Sequence, residues 1–160
     1  MRGYSDIERS TSHCVTFVEA REVEDGREEL IELVERIRSI GFRIAYVDCS
    51  KYLDRPWEIG SAIGYLLRTD HPPYHEDSEL NLVRWLDDVI SLAYTTPGVV
   101  IVLDNAEQVL LQHRRHVTEM IEAFLVQVHH WHEQKIPCHF CLQMSPHPMV
   151  AQLFGATSEA

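Results

Sequence analysis

Three carboxylates close apolar runs in this sequence: Glu19 after Cys14–Val18, Asp48 at the end of Phe42–Asp48, and Asp104 after Val99–Leu103. Gathered at one edge of a sheet, they could hold a divalent cation through oxygen ligands. They could equally be dispersed among helix caps and salt bridges. Cys49 beside Asp48 is a candidate nucleophile, but a neighbouring negative charge raises a thiol pKa and disfavours the thiolate. Ten histidines also raise the question of metal. Cys138-His139-Phe140-Cys141 has the C-x-x-C spacing of zinc ligands, with His129, His130 and His132 just upstream. On a strand, however, residues three apart face opposite sides, so Cys138 and Cys141 could not share an ion. His113/His116 and His129/His132 fall at i, i+3, where imidazoles on a helix converge. With no third ligand in view, a solvated helix face accounts for them, and no metal site or cofactor is expected.

The elements that must position these residues follow from periodicity. Cys14–Val18 reads as a short strand. A charged loop leads into a helix over about Arg27–Ile40, with Leu30, Leu33, Val34 and Ile37 on one stripe and Gly41 as its stop. Phe42–Asp48 is a second strand. Pro56 opens a helix whose buried face is expected to carry Ile59, Ala62, Ile63, Leu66 and Leu67. The paired prolines within 69–77 end it. Ser78 caps a helix to about Tyr94, with Leu82, Leu86, Val89 and Ala93 inward. Pro97-Gly98 is a turn.

Val99–Leu103 is an unbroken apolar run, so both faces must be covered, as in the centre of a parallel sheet. A long helix is expected over Val117–Glu133, a fourth strand over Cys138–Met144, and a short last helix after Pro146 and Pro148. Trp57, Trp85 and Trp131 fall on helical patterns, where packing in a core or interface is the expected use. Alternating strands and helices imply an α/β fold with a mostly parallel sheet, and such sheets bind ligands beyond the carboxyl ends of their strands. Glu19, Asp48-Cys49-Ser50, Asp104-Asn105 and Ser145 are therefore the positions of interest. The domain is expected over 13–155, between a polar segment 1–12 and a tail 156–160.

Composition narrows the function. The 160 residues carry 25 acids against 14 Lys and Arg, a formal charge of −11. A phosphate-tracking nucleic-acid binder needs a basic face, so this composition argues against nucleic acid as a partner. No apolar run has the ~18 residues of a membrane span. Met1–Ser12 lacks the apolar centre of a secretory signal, and four dispersed cysteines do not form a secreted disulfide framework. A reducing, cytoplasmic setting is the expectation.

Val99–Gln108, Val-Val-Ile-Val-Leu-Asp-Asn-Ala-Glu-Gln, resembles the Walker B strand of P-loop NTPases, in the Leu-Asp-Asn-x-Glu form of STAND ATPases and their AAA+ relatives. The order of elements agrees over about residues 14–155, with Gln143-Met144-Ser145 where the sensor-1 polar residue would lie. The resemblance implies a three-layer α/β sandwich with a four-stranded sheet in the order 1-4-3-2. It also implies a magnesium-side role for Asp104. Asn105 stands where many AAA+ enzymes carry Glu, and an amide is no proton acceptor near neutral pH. The plainer reading is that Asp104 ends a strand and caps the next helix while Asn105 shapes the turn.

The phosphate loop departs from the family. G-x-x-x-x-G-K-[ST] supplies curled backbone donors, a lysine for the phosphates and a hydroxyl for magnesium. Aligned on the helix, Gly26-Arg27-Glu28 replaces Gly-Lys-Ser/Thr and Arg21 replaces the first glycine. Aligned on the strand, Glu19, Glu24 and Asp25 replace the two glycines and the lysine. Six acids lie between Glu19 and Glu29 against two arginines. Like charges ~5 Å apart repel by roughly 3 kcal/mol at an effective dielectric of ~20, enough in combination to cancel a helix N-terminus and its donors. The sequence therefore suggests a non-catalytic, nucleotide-binding-deficient module for protein interaction or regulation. The alternatives are an atypical nucleotide-binding ATPase using Gly26, Arg27, Asp104 and Asn105, and a metal-binding module. The resemblance leaves Cys14–Val18 as an exposed edge, where a protein partner or a second copy could pair.

Overall fold

The computed structural model describes residues 15–19, 31–32, 34–67, 91, 95–145 and 147–149, with the backbone alone for 15–19, 126–130 and 132. The expected segment 1–12, Cys14, the loop bearing Gly26 and Arg27, the Pro-Pro stretch 69–77, most of the helix after Ser78, Trp85 and the tail 156–160 lie outside those residues. In chain order the elements are β1 (Val15–Glu19), α1 (residues 34–39), β2 (Arg43–Asp48), α2 (Glu58–Leu67), β3 (Val99–Asp104), α3 (Ala106–Gln112), α4 (Arg114–Gln134) and β4 (Cys138–Met144). A 3-10 turn, Cys49–Tyr52, joins β2 to α2.

The α/β class expected from the sequence is the class observed. β2, β3 and β4 form a parallel sheet with β3 in the middle. Arg43 lies opposite Val99 and Asp48 opposite Asp104; Val99 lies opposite Cys138 and Leu103 opposite Leu142. The β1 backbone runs parallel to β4, from Val15 opposite Phe140 to Glu19 opposite Met144. All six residues of β3 are buried, as an apolar run covered on both faces requires.

Alternation along the strands divides the core in two. Ala45, Val47, Val99, Ile101, Leu103, Phe140 and Leu142 join side chains of α2, α3 and α4 in the larger cluster. Ile44, Val100, Val102 and Cys141 join Ile37 of α1 and Phe42 in the smaller one. Phe124 stands at the hub of the larger cluster, 4.7 Å from Trp131 and 5.3 Å from Phe140 between ring centroids, both pairs tilted. Tilted rings place a positive edge near a negative face, which adds to the area they bury.

Several expected boundaries and faces shift. β1 extends one residue past its expected end, to Glu19, and Phe42 precedes β2 and packs into the smaller cluster. Trp57 lies in the turn before α2, not in the helix. The buried face of α2 carries Ile59, Gly60, Ile63, Gly64 and Leu67, while Ala62 is half-buried and Leu66 is 39% exposed. That stripe keeps helical spacing, with Gly60 and Gly64 buried where the expected face had Ala62 and Leu66 instead. The long helix begins at Arg114, and a separate helix, α3, precedes it. On α4, Val117, Met120 and Phe124 are buried as expected, but Leu125 is 45% exposed.

Two glycines meet real constraints. Gly41 ends α1 with φ +85°, a conformation that side chains with a Cβ resist. Gly98 faces the Phe42 ring, where an added Cβ would lie 2.2 Å from the nearest ring carbon.

Candidate functional site at the carboxyl edge of the sheet

β2, β3 and β4 end together and bring Tyr46, Asp48, Asp104 and Gln143 to one edge. Period 2 along each strand places Tyr46, Asp104 and Gln143 on the face that also carries Ile44, Val102 and Cys141. Asp104 is the hub and is only 6% exposed. Its Oδ1 accepts the backbone N–H of Asn105 at 2.9 Å and the Gln143 amide N–H at 3.1 Å. Its Oδ2 accepts the Tyr46 hydroxyl.

Asn105 is the N-cap of α3 and holds a left-handed conformation, φ 52° and ψ 39°, without capping the helix through its side chain. Asparagine tolerates that conformation better than most residues. Its side-chain amide instead donates to Asp48 Oδ1 at 2.9 Å. Asn105 thus shapes the turn as expected, whereas the expected Asp104 cap is replaced by a contact to the Asn105 N–H alone.

Asp48 organises the other half of the edge. Its Oδ1 also accepts the Ser50 N–H at 3.2 Å and the Ser50 hydroxyl at 2.7 Å, which holds the 3-10 turn. Its Oδ2 lies 3.7 Å from the Lys51 ammonium. Burial, the largest single influence, pushes the Asp48 carboxyl up. Hydrogen bonds from the Ser50 side chain, Asn105 and the Ser50 backbone, together with Lys51, outweigh it and leave the pKa below the ordinary value. Asp48 therefore stays ionised at neutral pH.

The remaining sequence candidates separate. Burial pushes the Cys49 thiol up to about 12, with Asp48, Asp104 and Glu107 adding to it, so Cys49 offers no thiolate near neutral pH. Cys138 and Cys141 face opposite clusters. The Ser145 N–H donates to Glu107 Oε2 at 3.2 Å, fastening the end of β4 to the first turn of α3. His113 lies between α3 and α4 with Nε2 2.7 Å from the Leu53 carbonyl oxygen. The backbone of Glu19 reaches the same end of the sheet, opposite Met144. Among the described residues, no group of three or more His, Cys, Asp or Glu is placed to hold a metal ion, and no helix is long and apolar enough to cross a membrane.

Sequence reasoning passed over Tyr46 and gave Gln143 no partner. A usable signal existed for Tyr46: it lies two residues before Asp48, on the same face of β2, so it had to rise beside the carboxylates. The same strand borders a groove of about 710 Å³ between β2, the 3-10 turn and α2, whose lining includes Tyr46, Asp48, Lys51, Tyr52, Trp57 and Tyr65. No protein-family model, curated protein or solved structure matches this chain.

Proposed function

We propose that the chain is a non-catalytic P-loop-NTPase-like domain of the STAND/AAA+ type, acting as a protein-interaction or regulatory module. In this reading its sheet is four-stranded in the order β1-β4-β3-β2, between helical layers. The observation that carries the proposal is the engagement of Asp104. A Walker B carboxylate has to hold a magnesium-bound water. Here three internal donors occupy three of the about four lone-pair positions of a carboxylate that is 6% exposed. Hydrogen bonds to a charged group are each worth roughly 1.5–3 kcal/mol, so turning Asp104 toward an outside ligand opposes the fold itself. Asn105, the next residue, cannot take a proton from an attacking water and is held by Asp48. The acids of residues 19–29 add repulsion to any triphosphate.

β1 is the strand proposed to meet a partner, because in that order it is an edge, and edges present unpaired backbone groups. Titration calorimetry with magnesium and ATP tests the catalytic half of the reading, and no binding heat is expected. Binding that disappears in Asp104→Ala would instead favour the atypical nucleotide-binding ATPase. Light scattering tests the association half. If the chain dimerises, the double substitution Thr16→Lys and Val18→Lys should return a monomer whose circular dichroism is unchanged. An unaltered dimer mass would remove β1 from the interface.

A further inference from the structure

The groove beside β2 carries an unfilled carboxylate oxygen against an aromatic lining. We propose that it receives the guanidinium of an arginine side chain presented by a protein partner. This rests on the reading of the chain as an interaction module and names the chemistry the partner must offer.

Asp48 supplies the anion. Its Oδ1 is saturated by the Ser50 N–H, the Ser50 hydroxyl and the Asn105 amide. Among the described residues its Oδ2 has only Lys51, at 3.7 Å, and the Lys51 side chain is 72% exposed. That separation exceeds hydrogen-bond length, so Oδ2 keeps its acceptor capacity while the rest of the carboxylate is fixed in place. The Asp48 side chain is 16% exposed, and a partly buried charge interacts with a cation more strongly than one free in water. The hydrogen bonds that hold the carboxyl below its ordinary pKa also keep it charged.

Tyr46, Tyr52, Trp57 and Tyr65 supply the second half of the site. Ring faces attract cations, and a planar guanidinium can stack on them while one of its N–H groups donates to Asp48 Oδ2. An ammonium has the charge without the plane. The volume, about 710 Å³, exceeds a single side chain and lies in the range of sites that enclose a ligand of several groups. The rim continues the apolar surface outward, because Tyr65 is 82% exposed and Leu66 39%. Residues flanking the arginine would cover that rim, which favours a peptide over a free amine. The formal charge of −11 on the chain draws a basic partner toward it.

Lys51 gives the proposal a distinctive sign. Its ammonium competes with an incoming cation for Asp48 Oδ2, so its removal should strengthen binding. The test is a titration of the full chain, followed by nuclear magnetic resonance, with acetyl-Leu-Arg-Leu-amide. Controls replace the arginine with citrulline or glutamate, and free arginine amide is titrated separately. The arginine peptide should shift resonances of Trp57 and Tyr65 and bind about tenfold more tightly than the citrulline peptide, roughly 1.4 kcal/mol. Lys51→Met should tighten it severalfold, and Asp48→Asn should weaken it about tenfold in a chain whose spectrum remains folded. Stronger binding of the glutamate peptide, or weaker arginine binding in Lys51→Met, would show an anion site and overturn the proposal. Free arginine amide binding as tightly as the peptide would overturn the assignment to a protein partner. Silence of every probe at millimolar concentration would overturn the groove alone, since the magnesium–ATP titration is independent of it.

Discussion

Tyr46 and Asp104, 58 residues apart in the chain, are joined by a hydrogen bond from the phenol to carboxylate Oδ2. In the β2–β3 register Tyr46 lies opposite Val102 and Asp48 opposite Asp104, so the bond runs diagonally between neighbouring strands. Diagonal neighbours of that kind are within reach of a long aromatic side chain. The consequence reaches across the sheet. Gln143 of β4 meets the other oxygen of Asp104, and Asn105 passes the connection to Asp48. Three parallel strands thus end in one polar network, and the acid that the Walker B resemblance assigns to magnesium is its central acceptor.

Tyr46→Phe should lower stability by about 1.5–3 kcal/mol, because it takes the donor from one oxygen of a carboxylate that is 6% exposed. Urea denaturation monitored by circular dichroism should show a lower midpoint at an unchanged m-value. Gln143→Leu should behave similarly. The two losses should be non-additive, since both donors serve one carboxylate. Strict additivity would mean that Asp104 does not link them.

Gly98→Ala tests the junction of the turn with the smaller cluster. The new methyl would lie 2.2, 2.5 and 2.6 Å from three carbons of the Phe42 ring. Phe42 is 8% exposed and packs with Ile37 and Ile44, so the ring has little space into which to retreat. Overpacking of this kind costs about 1–3 kcal/mol. Combined with Phe42→Ala, the penalty of Gly98→Ala should largely vanish in a double-mutant cycle, because the obstructing ring is gone. A thermal midpoint equal to that of the parent chain would place Phe42 elsewhere.

What was legible in the sequence depended on how local its cause is. Val99–Leu103 announced a central strand because five consecutive apolar residues have no solvent face to offer. Cys138–Met144 was equally plain once Pro137 marked its start. The face of α2 was partly misread because hydropathy assigns no weight to Gly60 and Gly64, although burial does. The bounds of α3 (Ala106–Gln112) were not assigned from the sequence, and the contact at its end is distant: the His113 ring meets the Leu53 carbonyl, 60 residues back. Asp48, Asp104 and Asn105 were found as residues at strand ends. Their partners were not: the two-residue spacing from Asp48 puts Tyr46 on the right face of β2, but the Tyr46–Asp104 and Gln143–Asp104 contacts depend on strand register, which that spacing does not supply.

Cys49, Cys138 and Cys141 should be inert while the chain is folded. Burial pushes Cys141 up to about 12, as it does Cys49, where the neighbouring carboxylates add to it. Cys138 is also buried and in no disulfide. Iodoacetamide attacks the thiolate, whose fraction near pH 8 is minute at such pKa values. Peptide mass spectrometry after brief alkylation should therefore find Cys49, Cys138 and Cys141 unmodified in native chain and all three modified in urea. Rapid labelling of native Cys49 would mean that the carboxyl edge opens far more readily than its hydrogen bonds imply.

Acidification should destabilise the fold in two separate windows. Burial, the largest influence, lowers the pKa of His116, with His113 lowering it further and Glu119 opposing them. The folded chain therefore releases the His116 proton more readily than the unfolded chain, whose histidines titrate near about 6.5. Its contribution is complete above that value and is lost as pH falls from there through the lower folded pKa. Asp48 acts in the same direction at lower pH. Its folded pKa lies below the ordinary 3.8, so its contribution is present above that value and lost as pH falls through the folded one. Urea midpoints measured from pH 8 to pH 3 should decline first just below about 6.5, and again below about 4. His116→Gln should flatten the first decline and leave the second, while Asp48→Asn should do the reverse. If His116→Gln left both declines intact, the upper window would belong to another group.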